Sequence, residues 1–200
     1  MSQTSQTRMR RIVVLVSGGG SNLQAILDAH LDNAHVVKVI SNRASAFALE
    51  RAARAGVSAQ VLAFKPVRDA GGTREDYERG LAQAVRDAQP DLIVLAGWMH
   101  ILGPDFIASF AGTPIINLHP ALPGEFDGIH AIERAFAAWQ RGEIARSGCM
   151  VHHVVPAVDA GPVVALREVP FDPEDTLETY KARLHAAEHA LIVDAIRTLL

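Results

Sequence analysis

Residues 11–16 (RIVVLV) carry an apolar side chain at every position after the arginine. A half-exposed strand alternates apolar and polar residues, so an unbroken β-branched run predicts a strand buried on both faces. The run stops at Ser17-Gly18-Gly19-Gly20-Ser21-Asn22, and Leu23, Ile26 and Leu27 then recur at helical spacing. Strand, glycine turn and helix form the first unit of a doubly wound α/β sheet. The alternation continues with a strand over 35–41, an Ala-rich helix over 46–55 and a short strand over 60–63. A polar loop rich in Gly and Pro, a helix over 74–88 and a buried strand over 91–96 (DLIVLA) complete this half.

The second half is less regular. Residues 114–118 (PIINL) read as a strand running into a Pro/Gly-rich loop at 119–128, followed by a helix over 130–141. Two strands, 151–155 and 163–169, flank Asp159-Ala160-Gly161-Pro162, a connection short enough to imply antiparallel pairing. A long amphipathic helix over 175–199 ends the chain, with Asp175 or Thr176 as its N-cap and Glu178 in its first turn. The expected fold is a Rossmann-like doubly wound sheet, parallel in the N-terminal half with antiparallel strands added later. Residues 11–200 are expected to form one domain without repeats or linkers, behind a disordered tail at residues 1–10.

Composition narrows the function classes. Of the 200 residues 49% are hydrophobic, enough for a substantial core without disulfides or structural metal. Cys149 is the single cysteine, which suits a reducing cytosol, and its neighbours Gly148, Met150 and Val151 suggest an inert, buried thiol. The net charge is −3 and no basic run exceeds Arg10-Arg11, so the footprint of a nucleic-acid binder is missing. No apolar stretch reaches the length of a membrane span, and residues 1–10 lack the apolar core of a secretory signal. These features predict a cytoplasmic protein acting on small molecules.

Three groups of residues stand out for chemistry. The turn at 17–22 places free backbone N–H groups at a helix N-terminus, where they and the helix dipole can hold an anion. No Lys follows the glycines, as a Walker loop requires, and Leu23 occupies the third glycine position of a dinucleotide fingerprint. Ser41-Asn42 stands where an acidic ribose ligand would be, so a monophosphate suits the turn better than NAD, and a purely structural turn is the alternative. Asn117 and His119, two apart on a strand, share a face at its C-terminal end, where open α/β sheets bind ligands. A carboxamide and an imidazole aimed at one point can stabilise an oxyanion. Asp159, ordinary turn chemistry by itself, could be the carboxylate that keeps His119 protonated. His185-Ala186-Ala187-Glu188-His189 matches the H-x-x-E-H zinc pattern, but no further ligand follows well downstream, and two histidines and a glutamate facing solvent or a pocket is the plainer reading.

Four segments in order carry a resemblance: VSGGGSNLQAI at 16–26, LAGWMHIL at 95–102, INLHPALPG at 116–124 and VDAGPVV at 158–164. With them, the chain from residue 11 onward resembles the phosphoribosylglycinamide formyltransferase family of purine biosynthesis. The resemblance implies that Asn117, His119 and Asp159 are the catalytic trio. Gly20, Ser21 and Asn22 would hold the substrate phosphate and ribose, and Glu188 would contact the glycinamide part. Met99, His100, Ile101 and Leu102, together with Val155, Pro156, Ala157 and Val158, would line the folate pocket, with Arg74 near the folate's glutamate tail. The co-substrate would be 10-formyltetrahydrofolate, with no metal, in a monomer or homodimer. His100 replaces an Arg common in bacterial members, and HPALPGEFDG is the form of the fungal branch rather than HPSLLPKYPG.

The implied reaction is one-carbon transfer without a covalent enzyme intermediate: the amine attacks the formyl carbon while Asn117 and protonated His119 stabilise the oxyanion. Two alternatives share parts of the pattern. A formyltetrahydrofolate hydrolase would use the trio with water in place of the amine, and a non-catalytic nucleotide-binding module would keep the glycine turn alone.

Overall fold

The computed structural model describes residues 8–200, and the tail expected over 1–10 lies mostly outside them. Arg10 already belongs to strand β1 (Arg10–Val16), because its backbone N–H donates to the Asn33 carbonyl at 2.7 Å. From Ile12 onward β1 is fully buried and serves two cores. Ile12, Val14 and Val16 face one side of the sheet, and Val13 and Leu15 face the other. Period-two alternation splits an all-apolar run between two covering layers, which is why the run tolerates no polar position.

Six further strands complete one sheet: β2 (Ala34–Ser41), β3 (Ser58–Val61), β4 (Leu92–Leu95), β5 (Ile115–His119), β6 (Arg146–His153) and β7 (Val163–Pro170). Their order is β3-β2-β1-β4-β5-β6-β7. The first five are mutually parallel, β6 is antiparallel to β5, and β7 is antiparallel to β6. Winding proceeds outward from β1 in one direction through β2 and in the other through β4. That reversal opens a crevice at the C-terminal ends of β1 and β4.

Helices cover both faces. On one side lie α1 (Ser21–Asp28), α2 (Ala48–Arg54), α6 (Ala131–Gln140) and α7 (Leu177–Leu199). The other side holds α3 (Phe64–Asp69), α4 (Arg74–Arg86) and α5 (Pro104–Ala108). α4 starts with a capping box between Thr73 and Asp76, and α7 starts with one between Thr176 and Thr179. Thr176 is thus the cap, while the almost fully buried Asp175 carboxylate binds the Arg183 guanidinium at 2.5 Å.

Several details depart from expectation. α3 occupies the loop expected after the third strand, and α5 was not foreseen; both are too short for periodicity to show. β6 begins at Arg146, five residues before the expected start, because Ser147 and Gly148 hide its apolar pattern. Residues 154–162 join β6 to β7 as a long loop instead of a tight turn, though the pairing is antiparallel as expected.

That loop returns against its own strand. A Cβ on Gly161 would lie 1.7 Å from the His153 carbonyl oxygen, so only glycine fits. Gly161→Ala is expected to lower stability by about 1–3 kcal/mol, as overpacking does, measured by thermal or urea denaturation. An unchanged midpoint would mean that the loop can detach from β6 without cost.

Candidate active site

β5 carries Asn117 and His119 on one face, and the antiparallel register sets His152 of β6 directly opposite Asn117. The 154–162 loop delivers Asp159 to the same place in a left-handed conformation, φ 52°. The Asp159 carboxylate is a hub. Its Oδ1 accepts from Asn117 Nδ2 at 3.2 Å and lies 3.4 Å from His152 Nε2. Its Oδ2 accepts from the Gly128 N–H at 2.8 Å and lies 3.4 Å from His119 Nδ1. Burial pushes this carboxyl upward, but the His152 and Gly128 hydrogen bonds and the two imidazoles outweigh it and hold the carboxyl below its ordinary value.

His152 stands among three polar groups. Its Nδ1 is 2.9 Å from the His153 carbonyl. Its Nε2 lies 3.2 Å from Asn117 Nδ2 and 3.4 Å from Asp159 Oδ1. The Asn117 amide nitrogen thus rests against both His152 and Asp159.

His119 is 4% exposed, with Nε2 3.3 Å from the Phe126 carbonyl and Nδ1 facing Asp159. A neutral ring has one hydrogen for these two acceptors, whereas the imidazolium would satisfy both. Even so, burial pushes the His119 pKa below its ordinary value, and Asp159 and the Phe126 carbonyl only partly offset it. Asp159 thus raises the His119 pKa, as expected, but removing the ring from water acts against it more strongly.

These groups form one end of a cavity of about 590 Å³ at the crevice between β1, β4 and β5. Met99, His100, Ile101 and Leu102 line it, as do Val155, Pro156, Ala157 and Val158. Arg74 stands behind the first of these segments, outside the lining. Its guanidinium donates to Glu78 at 2.9 Å and to the Ile101 carbonyl at 2.8 Å, and it lies 3.2 Å from His100 Nδ1. Each of its three nitrogens thus holds part of the wall or its support. Glu78 also accepts from the Gly103 N–H at 2.9 Å, fixing the same segment from its far end. Burial, then the positive charges of Arg74 and Arg43, push the His100 pKa below its ordinary value.

Asn22 and Glu188 also line the cavity. Asn22 Oδ1 is buried without a partner among the described residues, an acceptor awaiting a donor. Glu188 is 4% exposed and pairs with His185 Nδ1 at 2.8 Å, and that pairing raises the His185 pKa. Gly20 and Ser21 fall just outside the lining, in the turn that precedes α1. There the backbone N–H groups of Gly19, Gly20, Ser21 and Asn22 have no acceptor among the described residues. His185, Glu188 and His189 do not converge as a three-ligand metal group; among the described residues only His119, Asp127 and Asp159 bring ligand atoms within 4.8 Å of one another. Cys149 is fully buried, and burial pushes its thiol up to about 12, which removes it as a nucleophile.

Sequence reasoning missed His152 and undervalued His185. Strand alternation could have flagged His152, but only the β5–β6 register shows that it faces Asn117. His185 lies one helical turn before Glu188, the spacing first weighed as a zinc pattern.

The chain is similar to known proteins over almost its whole length. The formyl transferase family model matches residues 10–196. A phosphoribosylglycinamide formyltransferase of Schizosaccharomyces pombe is 47% identical over 199 residues, covering 94% of this chain and 96% of that protein. The enzyme of that name from Saccharomyces cerevisiae is 43% identical over 205 residues, covering 94% and 95%. The crystal structure of glycinamide ribonucleotide transformylase 1 from Symbiobacterium toebii superposes with a TM-score of 0.87 at 36% identity, over 98% of this chain and 90% of that one. With the family model matching residues 10–196 and these relatives aligned over nearly their full length, the chain belongs to the formyl transferase family.

Proposed function

We propose that this enzyme transfers the formyl group of 10-formyltetrahydrofolate to the amine of 5-phosphoribosylglycinamide, a step of purine biosynthesis. The observation that carries this reading is a single cavity with two differently equipped ends. One end gathers an amide, two imidazoles and a carboxylate; the other offers open backbone donors, Asn22 and a buried carboxylate. The apolar wall between Met99 and Leu102, facing Val155 to Val158, suits the flat pterin of a folate. Arg74 and Glu78 hold that wall, and His100 stands in it as a donor toward the folate's acidic tail.

The glycine turn takes the phosphate, and Glu188, paired with His185, takes the glycinamide part. The amine nitrogen attacks the formyl carbon, forming a C–N bond and a tetrahedral oxyanion. His119 enters neutral and takes up the proton that the attacking nitrogen sheds. The resulting imidazolium, flanked by Asp159 and the growing oxyanion, has gained the negative neighbour that burial alone denied it. Asn117 donates to the oxyanion by giving up its resting acceptor, the Asp159 carboxylate. The proton then passes to the folate nitrogen as its bond to the formyl carbon breaks, leaving tetrahydrofolate and the N-formylated amide.

Three measurements bear on this. A spectrophotometric assay of folate deformylation should show turnover only when phosphoribosylglycinamide is present; equal turnover without the amine would mean a hydrolase, and none with it would leave a binding module. Asn117→Ala should lower kcat by about 10²–10³, the loss expected for one oxyanion donor, with a small change in KM. Unchanged kcat would remove Asn117 from the mechanism. Because His119 reacts as the neutral ring, kcat/KM should be at full value at neutral pH and fall on acidification with a midpoint below the ordinary imidazole value of about 6.5. A rate that instead falls as pH rises through that region would make the imidazolium the reacting form.

A further inference from the structure

The glycine turn is held from behind by α2, and the way it is held determines where its N–H groups point. The Gly18 carbonyl accepts from the Ala48 N–H at 3.1 Å, at the start of α2. One residue later, the Gly19 carbonyl accepts from Arg51 Nε at 2.8 Å. In a planar trans peptide the C=O of one residue and the N–H of the next point in opposite directions. Drawing the Gly18 and Gly19 carbonyls toward α2 therefore turns the Gly19 and Gly20 N–H groups away from it. Gly20 then takes φ 71° and closes on α2 so tightly that a Cβ there would lie 2.6 Å from Ala48 Cβ and 2.9 Å from Ala48 Cα. Successive N–H groups ending in a left-handed residue make the kind of concave nest that binds anions.

Ala48 contributes through its backbone and cannot be varied in that respect. Arg51 contributes through a side chain that is itself fixed on three sides. Its Nε is on Gly19, its NH1 donates to Gln24 Oε1 of α1 at 3.0 Å, and its guanidinium lies 5.0 Å from the centre of the Phe47 ring. One guanidinium thus ties the turn to the helices on both sides of it.

We infer that Arg51 is a positioning residue for the phosphate subsite: by holding the Gly19 carbonyl it fixes the Gly20 N–H toward the ligand, and it thereby sets the enzyme's preference for a phosphorylated amine. The inference rests on the reading of the turn as the phosphate site. It adds that the preference depends on a side chain of α2, outside the cavity lining. Arg51 does not act on the reacting atoms, so it affects binding of the phosphorylated substrate and leaves the chemical step alone.

The test compares phosphoribosylglycinamide with its dephosphorylated nucleoside as formyl acceptors at saturating 10-formyltetrahydrofolate, in the wild type, Arg51→Gln and Arg51→Lys. Arg51→Gln should raise KM for the phosphorylated acceptor by about tenfold, the loss expected for a hydrogen bond made by a charged group. Its kcat and its KM for the nucleoside should stay at wild-type values, which also shows that the variant is folded. Arg51→Lys, which keeps one donor and loses the fork, should fall between them. Inorganic phosphate, competing with the phosphorylated acceptor, should inhibit Arg51→Gln more weakly than the wild type. A wild type that prefers the phosphorylated acceptor and an Arg51→Gln variant with the same preference would overturn the role of Arg51 alone. A wild type with equal KM for both acceptors would overturn the phosphate reading of the turn, and this inference with it.

Discussion

A buried carboxylate cannot stay ionised without partners, and the active end of this molecule is organised around giving Asp159 enough of them. The four groups around it come from three separate pieces of chain: Asn117 and His119 from β5, His152 from β6, and the Gly128 N–H from the loop before α6. No single piece could be moved without leaving a donor or the carboxylate unpaired in a site shielded from water, a cost of several kcal/mol. The hub therefore fixes relative positions that packing alone would leave loose. It also explains why β6 runs against the five parallel strands. Only an antiparallel β6 sets His152 opposite Asn117 and ends where its loop can return Asp159 to the tip of β5.

The other end of the cavity is built on a different principle. There the groups that matter are backbone N–H groups of the turn after β1, which carry no side chain to be held, so peptide planes must be oriented. α2 does this from behind by taking up the Gly18 and Gly19 carbonyls, and the close approach of Gly20 to Ala48 removes the remaining freedom. A polar hub and a clamped turn thus meet across the sheet's switch point; on the proposed reading one responds to developing charge and the other receives a charge already present.

The sequence was legible where one physical signal dominated. Fully buried strands such as β1 and β4 show as unbroken apolar runs, and Asn117 and His119 show as a pair because strand alternation puts them on one face. It was opaque where the deciding fact lies between segments. His152 acquires its place only through the β5–β6 register, Arg51 only through the packing of α2 on the glycine turn, and α3 and α5 span too few residues to show a period. Arg74 is the instructive middle case. Its neighbourhood was readable from the family pattern, but its guanidinium is already committed to Glu78, the Ile101 carbonyl and His100, a fact about partners that no single sequence states.

Backbone strain at the active end supports the same reading. Of the four non-glycine residues with positive φ among those described, Phe126, His130 and Asp159 border the cluster, and only Gln89 lies elsewhere. A left-handed conformation costs a non-glycine residue about 1–2 kcal/mol and survives only where its surroundings over-determine it. Here they do. The Phe126 carbonyl faces His119 Nε2 and also accepts from Arg134 at 2.6 Å, and Gly128 donates to Asp159 two residues before His130. The strained segments are thus stapled by the groups that carry the charge. On the proposed reading, a neutral His119 beside Asp159, with its second nitrogen on a strained carbonyl, is a resting state short of one positive charge. A reaction that releases a proton next to a forming oxyanion supplies that charge when it is needed, and the protein need not hold a buried imidazolium through the rest of the cycle.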